Sequence, residues 1–317
     1  MRERHHGLQT SEAWQLVKAT LQLALSSLIA FKATDTEMAH PNELLGYVIT
    51  YSIKLELSYS LSAVHSLGFK VDLESKLFGQ HIASRVILKA VNGFMRDDNP
   101  KKPLVLSLHG RSGIGKNVVS RLIAAHIYKK GMDSSFVHTQ LKHSNVSNCE
   151  RSMFIFDAID QMHPGLIDSI KPYLDYYDKT DGASYRKAIF IFLSNVGGES
   201  ITQIALDFWK AGRDREEIEL NDLEKVLSLS AFNSNNNGLW HSGLIDKNLV
   251  DFFVPFLPLE YRHVVQCVMA EMKAKGLRPD QNVANKVAKD LLYFPKSDKV
   301  FSVSGCKLIC TRHHIYT

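Results

Sequence analysis

The stretch "PLVLSLHGRSGIGKNVVSRLIAAHIYKKG" sets an apolar run, a glycine-rich turn and a helix pattern in immediate succession. Within it Gly110, Arg111, Ser112, Gly113, Ile114, Gly115, Lys116 and Asn117 carry the spacing G-x-x-x-x-G-K. In such a turn the backbone N–H groups point at one anion, and the helix N-terminus adds its positive end. A lysine in register then reaches the β- and γ-phosphates of a nucleotide. A plain glycine-rich turn is the alternative, but the strand before, the helix after and the lysine in place together describe a phosphate loop. One position departs from the generic motif. Serine or threonine normally follows the lysine as a magnesium ligand; Asn117 stands there, and an amide oxygen can also ligate a hard cation.

The flanking pattern alternates helix and strand. "LFGQHIASRVILKAVNGFM" places Ile82, Val86, Ile87 and Val91 along one helical face. "SMFIFD" and "AIFIFLSN" are continuous apolar strands of the kind buried on both faces of a parallel sheet. "DFFVPFLPL" reads as the last strand, and "EYRHVVQCVMAEMKAKG" and "NVANKVAKDLLYF" read as helices of a small end domain. The expected fold is α/β, a doubly wound parallel sheet over residues 71–259 with a small helical lid over 260–317.

Residues 1–70 look different. Trp14, Val17, Leu21, Leu25 and Leu28 recur at helical spacing, which gives an amphipathic helix, although Leu23 to Phe31 also resembles a short secretory apolar core. Ile49 to Leu61 alternates as a half-buried strand does. No run of about 18 apolar residues occurs, so no membrane-spanning helix is expected.

"FIFDAID" raises the chemical question. An apolar strand ending in an aspartate, here Asp157, supplies a second magnesium contact in many ATPases. A glutamate usually follows and readies the attacking water, but Ala158 holds that place. Asp160 lies two residues on and would sit about 6–7 Å further along a continuing strand, which makes it a weak substitute. Asn195, at the end of "FLSN", either orients the attacking water or caps its strand.

Net charge is +5, yet the basic residues are scattered, with Lys101-Lys102 and Lys129-Lys130 as isolated pairs. A nucleic-acid surface has clustered basic residues with aromatic stacking partners, so no nucleic-acid partner is expected. Cys149, Cys267, Cys306 and Cys310 are too few for a disulfide scaffold and lack zinc spacing. Buried thiols, or one disulfide in an oxidising compartment, are both open. Asn145-Val146-Ser147 is a glycosylation sequon.

These residues together resemble the torsin family, lumenal AAA+ ATPases related to Clp-type chaperones. "GKN", "IFIFLSN", "HPGLIDSIKPYLDYYD", "ALDFW", "LIDKNLVDFFVPFLPLEY" and "SGCK" carry the resemblance, which runs from Leu73 to Cys310. It implies ATP and Mg²⁺ as cofactors, Asn195 as sensor 1 and Lys307, within Gly305-Cys306-Lys307, as sensor 2. It further implies that Cys306 is redox-responsive with Cys267 as its disulfide partner, and that Asn145 is glycosylated. Residence in the endoplasmic reticulum lumen and nuclear envelope follows from it as well. So does activation by a membrane-anchored cofactor whose lumenal domain supplies an arginine finger, within a homo- or hetero-oligomer.

The chain departs from the family in its first 70 residues, in Ala158, and between Gly131 and Arg151. In that last segment about 20 residues replace a strand, a helix and their loops, with "SSFVHTQL" as the remnant of the strand at the sheet edge. A missing general base costs about 10²–10⁴ in rate, whereas phosphate binding needs no base. The expected activity is a chaperone-like remodeller of protein complexes that holds ATP and hydrolyses it weakly. A nucleotide-dependent binding protein and a shortened, non-functional product are the alternatives.

Overall fold

The computed structural model describes residues 63–139, 151–233, 239 and 243–312. The expected N-terminal helix, the strand at Ile49–Leu61, Cys149 and the sequon at Asn145 lie outside these residues. Two helices lead in, α1 (Ala63–Lys76) and α2 (His81–Arg96), and the boundary drawn at residue 70 falls inside α1. Phe69 and Leu73, one helical turn apart, are both buried from α1, so the packed unit begins before that boundary.

The central sheet contains β1 (Leu104–His109), β2 (Val137–His138), β3 (Met153–Phe156), β4 (Ile189–Ser194) and β5 (Phe252–Pro255). Their order is β2-β3-β4-β1-β5, and every pairing is parallel. All residues of β1 and β4 are buried, which is why both read as unbroken apolar runs. Side chains alternate between the two faces. One face gathers Val105, Phe154, Phe156, Phe190 and Phe192 into a core, with the Phe154 and Phe190 rings stacked 4.9 Å apart. The remnant strand does join the sheet, pairing Val137 with Met153 and His138 with Phe154 at its edge.

Helices fill the connections. α3 (Lys116–Ile127) follows β1, and α4 (Pro164–Asp168) and α5 (Lys171–Leu174) follow β3. α6 (Gly198–Lys210) and α7 (Leu220–Asn233) follow β4, and α8 (Gly243–Asp246) precedes β5. A second core, with Ile82, Ile201, Leu206, Leu223 and Leu257, joins α2, α6 and α7 to the residues after β5.

The C-terminal part holds α9 (Tyr261–Ala274), α10 (Gln281–Lys289) and the short α11 (Ile309–Arg312). It is not wholly helical. "NVANKVAKDLLYF" stops being a helix at Lys289, and Tyr293–Phe294 instead forms β6, antiparallel to β7 (Phe301–Ser302). Pro295 explains the change, because the residue before a proline is pushed out of the helical region.

Candidate functional site

The glycine-rich turn joins β1 to α3 and wraps around Lys116. Lys116 as a whole is 7% exposed. It donates to Gly110 O at 2.5 Å, to Arg111 O at 2.9 Å and to Asn195 Oδ1 at 3.0 Å, so its three protons are all engaged. Burial lowers its pKa to about 8, against the attraction of the Asp160 and Asp157 carboxylates, which favours the charged form. A lysine held this way sits at the mouth of its own loop, next to the tip of β4.

Asn195 occupies that tip, and hydrogen bonds hold its short loop. Its N–H donates to Asp160 Oδ1 at 3.1 Å and its carbonyl accepts from Gly198 N at 3.1 Å. Val196 N donates to Ser194 Oγ, and the Val196 carbonyl meets His109 Nδ1. With Asn195 Oδ1 committed to Lys116, its amide nitrogen is the group left to meet a phosphate oxygen. A simple strand-end cap does not require that contact with Lys116.

Asp157 lies just past β3, and Asn117 Nδ2 donates to its Oδ2 at 3.0 Å. The two residues expected at a cation are thus adjacent, one from α3 and one from β3. Both carry the oxygen donors that magnesium prefers. Among the described residues no cluster of three or more His, Cys, Asp or Glu side chains could hold a metal, so this pair would need phosphate oxygens and water to complete a shell.

The strand does not continue to Asp160. Ala158 adopts φ 53°, ψ 43°, in the left-handed region, and Ile159–Gln161 forms a 3₁₀ turn. This turn bends Asp160 back onto the Asn195 backbone instead of extending it along β3. The expectation of a carboxylate displaced along the strand is therefore replaced by one beside Asn195. Asp160 also acts on Lys116 more strongly than Asp157 does.

The Gly305–Lys307 turn closes over the loop from the C-terminal part. Cys306 N donates to Gly113 O at 2.8 Å. Gly113 has φ 79° and Gly305 φ 55°; a methyl group on Gly113 would run into Ser304 O, and one on Gly305 into Gly113 O. Only glycines let these two backbones approach. The same fit brings Lys307 against Gly113, with its Cβ 3.0 Å from where a side chain on Gly113 would start. Cys306 is joined to Cys267 of α9 by a disulfide, Cα to Cα 6.2 Å, within the usual span. Reduction is expected to alter nucleotide affinity several-fold, because the bonded cysteine is the residue whose N–H holds Gly113. Calorimetric titration of oxidised and reduced protein measures this; equal affinities would sink the coupling.

Gln80 escaped the sequence reading. Its buried carboxamide donates to Ile114 O and Leu257 O and accepts from Leu257 N, which ties the phosphate loop to the start of α2 and the end of β5. A polar residue opening an amphipathic helix gives little signal of such a role. Ser107 and His109 share one face of β1, and nothing local in the sequence marks them.

A five-stranded parallel sheet of this order, with a glycine-rich loop after β1 and a C-terminal part that closes on it, is the AAA+ fold. Among solved structures, the casein complex of S. cerevisiae Hsp104 in its extended conformation matches with TM-score 0.57 at 17% identity, over 78% of this chain and 46% of that one. The S. cerevisiae Hsp104–ADP complex matches with TM-score 0.53 at 18% identity, over 77% and 45%. The closed state of Hsp104 with ATPγS and FITC casein gives TM-score 0.52 at 17% identity, over 77% and 45%. The chain thus spans a little under half the length of these Hsp104 chains. The family models described as Torsin and as Torsin-1A, C-terminal domain, match residues 59–145 and 259–316. Both matches are to torsin models, so the chain is similar to torsins over these two stretches.

Proposed function

We propose that the chain binds ATP with Mg²⁺, uses the ATP-bound state to engage protein complexes, and hydrolyses the nucleotide slowly. One observation carries this reading. Lys116, Asn195, Asp157 and Asn117 converge beside the phosphate loop, while Ala158 brings no carboxylate to the place of the base. Gly110 to Asn117 cradle the phosphates, Lys116 neutralises them, Asn195 reads the terminal phosphate, and Lys307 approaches from the lid. Magnesium, held by Asp157 and Asn117 with phosphate oxygens, would supply charge neutralisation.

The likeness to Hsp104, observed with casein, ADP and ATPγS, supports a protein-directed and nucleotide-dependent activity. The matches to torsin models and the Cys267–Cys306 disulfide support residence in the oxidising endoplasmic reticulum lumen and nuclear envelope. On the same reading the chain carries a glycan at Asn145. It works in a homo- or hetero-oligomer with a membrane-anchored activator that donates an arginine finger. A working ATPase is the second reading, favoured by the turn that brings Asp160 toward Lys116.

The test titrates the purified chain with Mg-ATP and follows phosphate release with and without an activating lumenal domain. Binding with release barely above background in both arms is expected. Absence of binding overturns the nucleotide site; brisk release by the unmodified chain moves the assignment to the second reading.

A further inference from the structure

The reading of β1 as a buried apolar strand leaves two polar residues unexplained. Ser107 and His109 are both fully buried and, two residues apart, share one face. Ser107 Oγ lies 2.7 Å from His109 Nε2, and His109 Nδ1 lies 3.1 Å from the carbonyl oxygen of Val196. A carbonyl only accepts, so Nδ1 carries the proton and Nε2 accepts from the Ser107 hydroxyl. Burial lowers the pKa of the ring to about 4, which keeps it neutral in this single tautomer. The imidazole also packs on Phe253 of β5, ring centroids 5.7 Å apart, so it cannot swing.

We propose that His109 is a positioning residue for Asn195. It fastens the carbonyl of Val196, one residue past Asn195, to the rigid centre of the sheet. Asp160 fastens the Asn195 N–H from the other side. Held at both ends, the Asn195 side chain keeps its place against Lys116, where a terminal phosphate would be read. This inference rests on the nucleotide-site reading and adds to it the element that sets discrimination between ATP and ADP. The buried Nδ1–H needs an acceptor in any case, and the one it takes lies in the β4 loop beside Asn195 rather than within β1.

The experiment measures Mg-ATP and Mg-ADP affinities by calorimetry for the unmodified chain and for His109→Phe, His109→Asn and His109→Gln. Asparagine places an amide nitrogen where Nδ1 stands and can still donate to Val196; glutamine places its amide nearer Nε2 and cannot. The preference for ATP over ADP should fall about tenfold in the Phe and Gln variants, the scale of one lost hydrogen bond to a charged group. ADP affinity should stay within about twofold, and the Asn variant should keep the unmodified ratio. A general packing defect would instead weaken both nucleotides together. If His109→Phe does not fold, the Asn and Gln pair makes the same decision. An unmodified chain that binds neither nucleotide removes the nucleotide-site reading itself. Equal binding of ATP and ADP by that chain removes the role of Asn195. A discriminating chain whose Phe and Gln variants keep its ratio, or whose Asn variant loses it with them, overturns the role of His109 alone.

Discussion

Lys116→Ala is expected to abolish measurable ATP binding, a loss of at least about a hundredfold. The substitution removes the cation of the loop and leaves the carbonyls of Gly110 and Arg111 and the Oδ1 of Asn195 without their shared donor. Hydrogen bonds to charged groups contribute about 1.5–3 kcal/mol each, and a hundredfold loss corresponds to about 2.7 kcal/mol, so one lost phosphate contact suffices. The remaining anion attraction comes from backbone dipoles, which are weaker than a formal charge. The fold should survive, because a desolvated ammonium is itself costly and its removal exposes no apolar core. Calorimetric titration beside a thermal unfolding curve separates the two effects. Unchanged affinity in a folded variant would remove the phosphate-loop assignment.

Ala158→Glu is expected to raise ATP turnover at least about tenfold, a conservative share of the 10²–10⁴ that a positioned general base contributes. The backbone already takes the left-handed conformation with a Cβ present, so a glutamate meets the same φ of 53° that alanine tolerates. The position is half-buried, and its neighbour Asp157 is exposed, which leaves the added carboxylate access to a water. ATP affinity should change little, since the alanine side chain has no polar group to offer a phosphate. Two results would overturn this account. Robust turnover by the unmodified chain that disappears in Asp160→Asn would make Asp160 the base. Asparagine keeps an acceptor for the Asn195 N–H and deletes only the charge, so that loss would be chemical rather than structural. A folded, ATP-binding Ala158→Glu variant that stays inert would put the defect elsewhere, in the shortened 131–151 segment.

Much of this site was readable from local sequence. The glycine-rich loop and its flanks are contiguous: strand, turn and helix follow within about 30 residues, and each has its own periodicity. The continuous apolar runs of β1, β3 and β4 announced strands buried on both faces, and the missing carboxylate at Ala158 needed only a comparison of neighbours. Resemblance supplied the pairing of Cys267 with Cys306, which composition alone had left open. Tyr293–Phe294 was misread because an apolar pair after a helix continues its pattern; the extended bias imposed by Pro295 was the overlooked signal.

The sequence by itself therefore determined the fold class, the glycine-rich loop between β1 and α3 and the alanine that follows Asp157, since these depend on contiguous periodicity and on which side chains exist. Only the tertiary structure decided where Asp160 points, that Gly113 and Gly305 touch, and that His109 reaches Val196. Each of those facts is a hydrogen bond or a steric fit between segments far apart in the chain. No periodicity records such a partner, because it is chosen by how the strands line up at their ends and how the lid closes. The turn at Ala158 is the clearest case: one left-handed residue carries Asp160 from the line of β3 onto the backbone of Asn195.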